Sequence, residues 1–215
     1  MIPDDIARMR RAEGYHRLAG VDEVGRGPLA GPVVACAVIL PEGFDCDGIA
    51  DSKAMASRQR RVQAARLLEA AAIGIAFLPA PQIDALNIHR ASLEAMRRAI
   101  AALPLLPDFV LADGRHIPPG LPCPAEAIVK GDSRVAAIAA ASIIAKVMRD
   151  EMMEAAEARY PGYGFARSAG YPTPAHRAAL PRLGLTPLHR LSFAPCREVR
   201  EKAGETPHPK KGQSA

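Results

Sequence analysis

A continuous apolar segment that follows two adjacent acids places the strongest constraint on how this chain folds. Residues 33–40 are rich in β-branched side chains and are bounded by Pro32 and Pro41, which predicts a buried β-strand. We expect residues 18–23 to be its hairpin partner, with residues 25–32 as the connection. Acids at the end of a strand, beside a Gly-Arg-Gly turn, suit the binding of a cation and a phosphate.

The rest of the chain alternates between strand and helix patterns. The further predicted strands are residues 73–78, 109–112 and 127–129, and the predicted helices are residues 57–71 with Ser57 as N-cap, 88–100, 133–159, 175–183 and 196–202. Three early strands, followed by strands that alternate with helices, predict an α/β fold with a mixed sheet covered by helices on both faces. We expect one domain over residues 1–203, with a helical and loop part from about 160, and a disordered tail at 204–215.

Composition narrows the class of protein. Apolar residues make up 49% of the 215 residues, which favours a globular chain over a disordered one. The formal charge of +5 and the pI of about 9.2 favour polyanionic partners only weakly. Four cysteines without a C-x-x-C pair argue against zinc and suggest a reducing compartment. Without a secretory signal pattern or a membrane-length apolar run, we expect a soluble cytoplasmic protein.

Asp22 and Glu23 are the first candidates for chemistry. A solvated strand end explains many acid pairs, but adjacent acids repel and their apolar flanks make it costly to keep both charged. A divalent cation would remove that cost. Because side chains alternate along a strand, both acids reach one metal only if the backbone bends, which the glycines at 25 and 27 permit.

Asp113 is the third candidate, because it directly follows an apolar strand and precedes Gly114. Asp-Gly pairs are common in turns, yet open α/β sheets place ligand-binding groups at the carboxyl ends of their strands. The two acid-bearing strand ends converge if their strands are neighbours, a condition that the sequence alone leaves open.

Asp132 and Asp150 compete for a fourth position. Asp132 can serve as a helix cap, and Asp150 can form an ion pair with Lys146 one helical turn away. The two aspartates lie 18 residues apart on one predicted helix, or roughly 27 Å, so they cannot serve one metal site. We prefer Asp132, which follows a strand near the level of Asp113, and we assign Asp150 a structural role.

Carboxylates supply only oxygen ligands, and such ligands favour Mg²⁺ or Mn²⁺ over zinc. Carboxylates that hold two such ions roughly 4 Å apart support in-line hydrolysis of phosphodiesters. We therefore expect a divalent cation cofactor, with two ions in each active site.

Six segments of the chain occur in a familiar order over about residues 18–195. They are GVDEVGRGPLAGPVV from Gly20, DSK from Asp51, LNIHRASLEAM from Leu86, LADG from Leu111, VKGDSRVAAIAAASIIAKVMRD from Val129 and GYPT from Gly170. Together they resemble the bacterial ribonuclease HII family, the type 2 ribonucleases H. The resemblance implies a ribonuclease H-like fold with a small C-terminal helical extension.

The same resemblance implies an activity. Members cleave the RNA strand of RNA–DNA hybrids and nick 5′ of single ribonucleotides in duplex DNA, which leaves 5′-phosphate and 3′-hydroxyl ends. This implies roles in ribonucleotide removal from DNA and in RNA primer removal. The family's four acids fall on Asp22, Glu23, Asp113 and Asp132, and we expect Asp22 and Asp113 to hold the metals most directly. Hybrid duplexes and ribonucleotide-containing DNA are the implied partners, and we expect a monomer with no obligate protein partner.

The resemblance also implies substrate-binding residues. The turn of Gly25, Arg26 and Gly27 would read the ribose, whose 2′-hydroxyl offers a donor and an acceptor that DNA lacks. Tyr171 would pack against the sugar on the DNA side of the junction. The positions that match phosphate contacts are Lys53, Ser142 and Lys146. Each feature also has a purely structural interpretation. Residues 25–27 can be a plain tight turn, Tyr171 can be wedged between a loop and the core, and the two lysines can be solvated surface residues.

Two departures from the family pattern affect basic positions. Ser168 and Ala169 stand where the family usually has His-Lys before the GYPT segment, and DSKAM replaces DSKKL. Both changes remove positive charge. We therefore expect them to affect the affinity for the duplex more than the catalytic chemistry. Two other functions remain open: an inactive domain that binds hybrids without cutting them, and another metal-dependent phosphoryl hydrolase that would not need residues 25–27.

Overall fold

A computed structural model describes residues 2–49 and 55–204. Its strands are β1 (Leu18–Val24), β2 (Val33–Ile39), β3 (Ala72–Leu78), β4 (Phe109–Asp113) and β5 (Ala125–Ile128). They form one sheet in the order β3-β2-β1-β4-β5. The pairs β1–β2 and β2–β3 are antiparallel, whereas β1–β4 and β4–β5 are parallel. The predicted mixed sheet and the hairpin of β1 with β2 are confirmed.

Helices cover both faces of this sheet. In the described part of the chain they are α1 (Asp5–Ala12), α2 (Ser57–Ala70), α3 (Ala80–Leu86), α4 (Ile88–Ala101), α5 (Ala136–Arg159), α6 (Phe165–Ser168), α7 (Pro174–Leu183) and α8 (Ala194–Lys202). α4 packs on one face of β1 and β2, and α5 packs on the other. The last three helices form the small C-terminal extension that the resemblance implied.

The central strand β2 explains why its sequence is apolar without interruption. All seven of its residues are buried. Val33, Ala35 and Ala37 belong to the core beneath α4, whereas Val34 and Cys36 belong to the core beneath α5. A strand with helices on both faces has no solvent side, so its side chains need no polar alternation.

The close approach of α5 to the sheet depends on Gly20 in β1. A Cβ at Gly20 would overlap the main chain of Ala137 and Ile138 at the start of α5. The alanines that follow in α5 are buried and small, so the helix lies directly on the strand. This contact sets the position of the rest of α5 above the acid-bearing end of β1.

Several predicted boundaries move in the structure. The long helix begins at Ala136 instead of residue 133, because Gly131–Ser133 form a separate 3₁₀ turn after a left-handed Lys130 (φ 56°). Ser57 is the first helical residue of α2 and Ala56 takes the N-cap position, so the predicted cap at Ser57 is wrong. β5 begins two residues before the predicted strand.

Three helices were not predicted, and one of them is the four-residue α6. α1 precedes the first strand, and α3 carries Pro81 in its first turn, where a missing N–H costs nothing. Lys53 and the predicted tail lie outside the described residues, apart from Gly204. No helix among residues 2–49 and 55–204 combines the length and apolarity that crossing a membrane requires.

Candidate active site

The strands that carry Asp22 and Asp113 are neighbours. β1 and β4 run parallel, with Val21 paired to Ala112 in the register. Asp22 and Asp113 are therefore the next residues along the two paired strands, at the carboxyl end of both. The condition that the sequence left open is met, and the sheet brings these two acids together.

The two acids of β1 have different surroundings, as expected for successive residues of a strand. Asp22 is buried, and its carboxylate accepts hydrogen bonds from the Ser142 hydroxyl of α5 and, at 2.7 Å, from the Glu23 main-chain N–H. The Glu23 carboxylate accepts a 3.2 Å hydrogen bond from Arg26 in the following turn. Asp22 therefore faces α5, and Glu23 is turned towards the Gly-Arg-Gly segment.

A cavity of about 330 Å³ opens beside Glu23. Glu23 and Asp113 line it together with Arg26, and α4 contributes His89. The ring of His89 lies edge-on to that of His116, with centroids 4.7 Å apart. Carboxylates and nitrogen-bearing side chains thus line the same cavity. This combination suits a backbone phosphate that is held beside a cation.

Burial and mutual repulsion shift the pKa values of the acids. Burial raises the pKa of Asp22 well above its ordinary value, and the charges of Glu23 and Asp113 raise it further. The hydrogen bond from Ser142 acts in the opposite direction. Burial also raises the pKa of Glu23 to about 7, against the lowering effect of Arg26. Because the charge of Asp113 raises both pKa values, the three carboxyls form one electrostatic group.

This group fits a divalent cation by its chemistry. Three carboxyls that repel one another lose that repulsion when a cation binds between them, and oxygen ligands suit Mg²⁺ or Mn²⁺. Among the residues that the structure describes, no three or more His, Cys, Asp or Glu side chains already surround a common point. The donors are thus present at one edge of the sheet without forming a closed coordination shell.

Asp132 lies next to this group through its backbone. It is buried in the 3₁₀ turn after β5, and the preceding residue, Gly131, donates its N–H to Asp113 Oδ1 at 2.7 Å. Asp132 does not cap α5, because Val135 takes the N-cap position and Asp4 accepts the N–H of Ala136 at 2.9 Å. The cap that the sequence allowed is therefore excluded.

Asp150 has the structural environment that was predicted. Lys146 Nζ lies 2.5 Å from Asp150 Oδ1, and Arg60 Nη1 lies 3.6 Å from Oδ2. The α5 helix is continuous from Ala136 to Arg159, so it holds Asp150 far from the turn that contains Asp132.

Comparison with known proteins identifies the family. The sequence profile described as Ribonuclease HII matches residues 19–196. The chain belongs to the ribonuclease HII family. The ribonuclease HII of Maricaulis maris is 55% identical over 191 residues, which are 88% of this chain and 87% of that one. The chain is therefore a ribonuclease H, a hydrolase that acts on RNA in RNA–DNA hybrids.

Solved structures share the fold. Ribonuclease H2 from Pyrococcus horikoshii superposes with a TM-score of 0.78 at 25% identity, covering 89% of this chain and all of that one. A Bst-RNase HIII solved in complex with Mn²⁺ has a TM-score of 0.67 at 22% identity, covering 90% of this chain and 72% of that one. The ribonuclease H-like fold is confirmed.

The Gly-Arg-Gly turn of this ribonuclease HII lies beside Tyr171. Gly25 has a φ of 98°, a conformation that favours glycine. Gly27 and Arg26 are exposed, and a Cβ on Gly27 would lie 3.3 Å from Cε1 of Tyr171. Tyr171 is itself 43% exposed. Two of the predicted substrate-binding features therefore form one surface next to Glu23.

The predicted phosphate-contacting residues have different environments. Ser142 is buried and directed at Asp22. Lys146 is partly exposed and paired with Asp150. Ser168, at one of the positions that depart from the family pattern, donates its hydroxyl to the carbonyl of Gly164 at 2.8 Å. The roles of Ser142, Lys146 and Lys53 towards substrate stay predictions.

Sequence reasoning missed four buried polar residues behind the turn. Arg149 and Arg190 are fully buried, and His176 and His189 face each other with their Nε2 atoms 3.1 Å apart. No pattern in the sequence marks them, because arginine and histidine usually lie at the surface or half-buried. Only the path of the C-terminal segment past the Gly-Arg-Gly turn reveals their positions.

Proposed function

We propose that this ribonuclease HII is an endonuclease that nicks duplex DNA 5′ of a single ribonucleotide, besides cutting the RNA strand of hybrids. One observation carries the proposal. Asp22, Glu23 and Asp113 lie at the end of the sheet directly beside the Gly-Arg-Gly turn and Tyr171. Groups suited to phosphodiester hydrolysis thus lie next to groups suited to sugar recognition.

The acids act by holding metal. When bound, divalent cations supply an activated water and stabilise the charge that develops on the leaving 3′-oxygen, and a pair of them does both. Asp22 and Asp113 hold them most directly, while Glu23 and Asp132 complete the set. The Mn²⁺ bound in Bst-RNase HIII supports the choice of Mg²⁺ or Mn²⁺. Ser142 keeps the Asp22 carboxylate oriented through its hydrogen bond.

The turn and the tyrosine select the sugar. No described residue accepts a hydrogen bond from the exposed main-chain N–H groups of Arg26 and Gly27, which leaves two donors at the surface. A 2′-hydroxyl accepts hydrogen bonds that a deoxyribose cannot. Tyr171 packs against the next sugar, and the absence of a 2′-hydroxyl there allows close contact on the DNA side of the junction.

The remaining contacts are electrostatic. Lys146, Lys53 and Ser142 lie on segments that match phosphate-binding positions of the family. The +5 net charge favours association with a nucleic acid duplex. Ser168 and Ala169 supply no cation where the family usually has one, so the affinity for duplex is more dependent on the other basic residues.

The cellular role follows from the reaction. A nick 5′ of a ribonucleotide that leaves a 3′-hydroxyl begins the removal of ribonucleotides from DNA, and cleavage of hybrids removes RNA primers. We place the protein in the cytoplasm as a monomer that needs no obligate protein partner.

A labelled DNA duplex with one ribonucleotide tests the proposal. The purified chain is incubated with Mg²⁺, with Mn²⁺ or with chelator, and an all-DNA duplex of the same sequence is the control. We expect a metal-dependent nick on the 5′ side of the ribonucleotide and none in the all-DNA duplex. Binding without cleavage under both metals would instead support a non-catalytic hybrid-binding domain, and release of mononucleotides would support an exonuclease.

A further inference from the structure

One guanidinium lies on the inner side of the Gly-Arg-Gly turn. Arg190 follows α7 in the chain and is fully buried. Its hydrogen bonds go to main-chain carbonyl oxygens. Nη2 donates to Gly25 at 2.6 Å and to Gly31 at 2.9 Å, Nη1 donates to Arg26 at 3.0 Å, and Nε donates to Gly31 at 3.1 Å. A single side chain thus joins both ends of the loop between β1 and β2.

The neighbouring contacts show that Arg190 is held firmly. Its main-chain N–H donates to the carbonyl of Leu29 at 2.8 Å, and the N–H of Gly31 donates to Leu188 at 2.9 Å. Arg149, the second buried arginine, donates to the carbonyls of Ala30, Pro32 and Ala169 at 2.8–3.1 Å. The loop is therefore fixed to the C-terminal segment at several points. Arg149 packs against Gly25, and Arg190 hydrogen-bonds the carbonyls of both Gly25 and Arg26.

Holding a carbonyl also orients the N–H of the next residue. The two groups belong to one planar trans peptide and point in opposite directions, and the described residues contain no cis peptide bond. The carbonyl of Gly25 shares a plane with the N–H of Arg26, and the carbonyl of Arg26 shares one with the N–H of Gly27. Because Arg190 binds both carbonyls from the interior, both N–H groups are directed outwards, where Arg26 and Gly27 are exposed.

We propose that Arg190 is a positioning residue for ribose recognition, which fixes two peptide planes so that the N–H groups of Arg26 and Gly27 face the 2′-hydroxyl. This inference rests on the proposed function, in which the turn reads the ribose. Arg190 touches no substrate atom itself. A lysine at this position keeps the charge but cannot reach three carbonyls in the fixed fork of a guanidinium.

Binding measurements in an inactive background separate selection of the sugar from chemistry. In the Asp113→Asn variant, anisotropy gives the Kd for a duplex with one ribonucleotide and for the all-DNA duplex. Arg190→Lys is added to this background. The control is Ile100→Ala, a buried change near the far end of α4 that is expected to cost stability without touching the loop. Thermal unfolding confirms that each variant is folded.

We expect Arg190→Lys to reduce the ratio of the two affinities by at least about fivefold, because one or two hydrogen bonds to the carbonyls of the turn are weakened. The Kd for the all-DNA duplex should change little. Ile100→Ala should leave the ratio unchanged. A folded lysine variant whose ratio stays within about twofold of its parent would overturn the inference. A parent without any preference for the ribonucleotide would refute the ribose-reading function itself, and this inference with it.

A second measurement needs no change at residue 190. In the Asp113→Asn chain, hydrogen exchange of the Arg26 and Gly27 amides should slow when the ribonucleotide duplex binds and should respond much less to all-DNA. Equal protection by both duplexes would contradict the assigned direction of the two N–H groups. Arg190→Gln, which retains one amide donor, repeats the affinity test if the lysine variant does not fold.

Discussion

Asp113 Oδ1 accepts a 2.7 Å hydrogen bond from the main-chain N–H of Gly131. This bond joins the end of β4 to the turn that holds Asp132, so the fourth acid is placed by a backbone contact with the third. Gly131 is also closely packed, since a Cβ there would lie 2.6 Å from Cδ1 of Ile138. Asp132 therefore lies next to Asp113, whereas Asp150 lies far along α5.

This assignment predicts opposite results for two aspartates of similar chemistry. Asp132→Asn should lower single-turnover cleavage by more than about 100-fold, because loss of even an indirect support to a metal costs 10- to 100-fold. Asp150→Asn should keep cleavage within a few-fold of the parent and lose about 1–3 kcal/mol of stability, since it weakens a part-buried ion pair with Lys146 and removes the charge beside the buried Arg60. Cleavage that falls strongly in Asp150→Asn and little in Asp132→Asn would reverse the assignment.

The charge on the buried Asp22 carboxylate should reduce the stability of the fold in the absence of metal. Its pKa is raised by burial and by the charges of Glu23 and Asp113, so ionisation opposes folding as pH rises above the ordinary value of the unfolded aspartate. Asp22→Asn keeps an acceptor for Ser142 and removes the charge. In chelator at pH 8 we expect a higher melting temperature for this variant than for the parent. With Mg²⁺ or Mn²⁺ present we expect almost no cleavage by this variant.

Added Mn²⁺ should affect the stability of the parent and of Asp22→Asn differently. The parent should gain stability with Mn²⁺ because the ion binds only the folded state, whereas Asp22→Asn should gain much less. Equal stabilisation of both by Mn²⁺ would show that Asp22 is not a ligand.

The buried histidine pair predicts a dependence of stability on pH. His176 Nδ1 must donate to the carbonyl of Tyr171 at 2.9 Å, and His189 Nδ1 accepts the N–H of Thr186 at 2.9 Å. His189 Nε2 therefore carries the hydrogen that it donates to His176 Nε2. Protonating either ring would bring two N–H groups into opposition. Burial lowers the pKa of His176, and it lowers the pKa of His189 to about 4.

The sign follows from the lowered pKa. The unfolded histidines take up protons near their ordinary pKa of about 6.5, before the folded ones do. The neutral His189 therefore contributes on the order of 3 kcal/mol to the stability of the fold. This contribution is fully present above about pH 6.5 and is lost as the pH falls towards 4. Urea unfolding of the parent and of His189→Asn between pH 4 and 7 gives the difference. Parallel pH profiles would contradict the neutral pair.

Much of this site is visible in the sequence, for identifiable reasons. The continuous apolar β2 predicts a central strand, and the acids that follow apolar segments at 22 and 113 predict strand ends. Helix geometry shows that Asp132 and Asp150 cannot serve one metal site, and the position of Asp132 just after a strand is what favours it. Arg149 and Arg190 could not be predicted, because their burial depends on carbonyls supplied by distant parts of the chain. The start of α5 was missed because a 3₁₀ turn and a helix share the same local sequence preferences.

Tyr171 offers a test of the sugar contact. Its ring lies against Gly27 and is partly exposed, so the flat surface and not the hydroxyl is expected to meet the substrate. Tyr171→Phe should cleave a ribonucleotide-containing duplex within about twofold of the parent. Tyr171→Ala should lose about tenfold or more in kcat/KM, in line with aromatic contacts of about 1–3 kcal/mol. Equal losses in both variants would point to the hydroxyl.

The most direct test of the account is single-turnover cleavage of a duplex with one ribonucleotide by the parent and by Asp113→Asn. Asp113 raises the pKa of both acids of β1 and lies beside Asp22 on the paired strand, so its charge is coupled to both of them. We expect the parent to nick 5′ of the ribonucleotide with Mg²⁺ or Mn²⁺, and the folded variant to lose nearly all of that activity. Cleavage by Asp113→Asn at the rate of the parent would show that the acids at the end of β1 and β4 are not the active site.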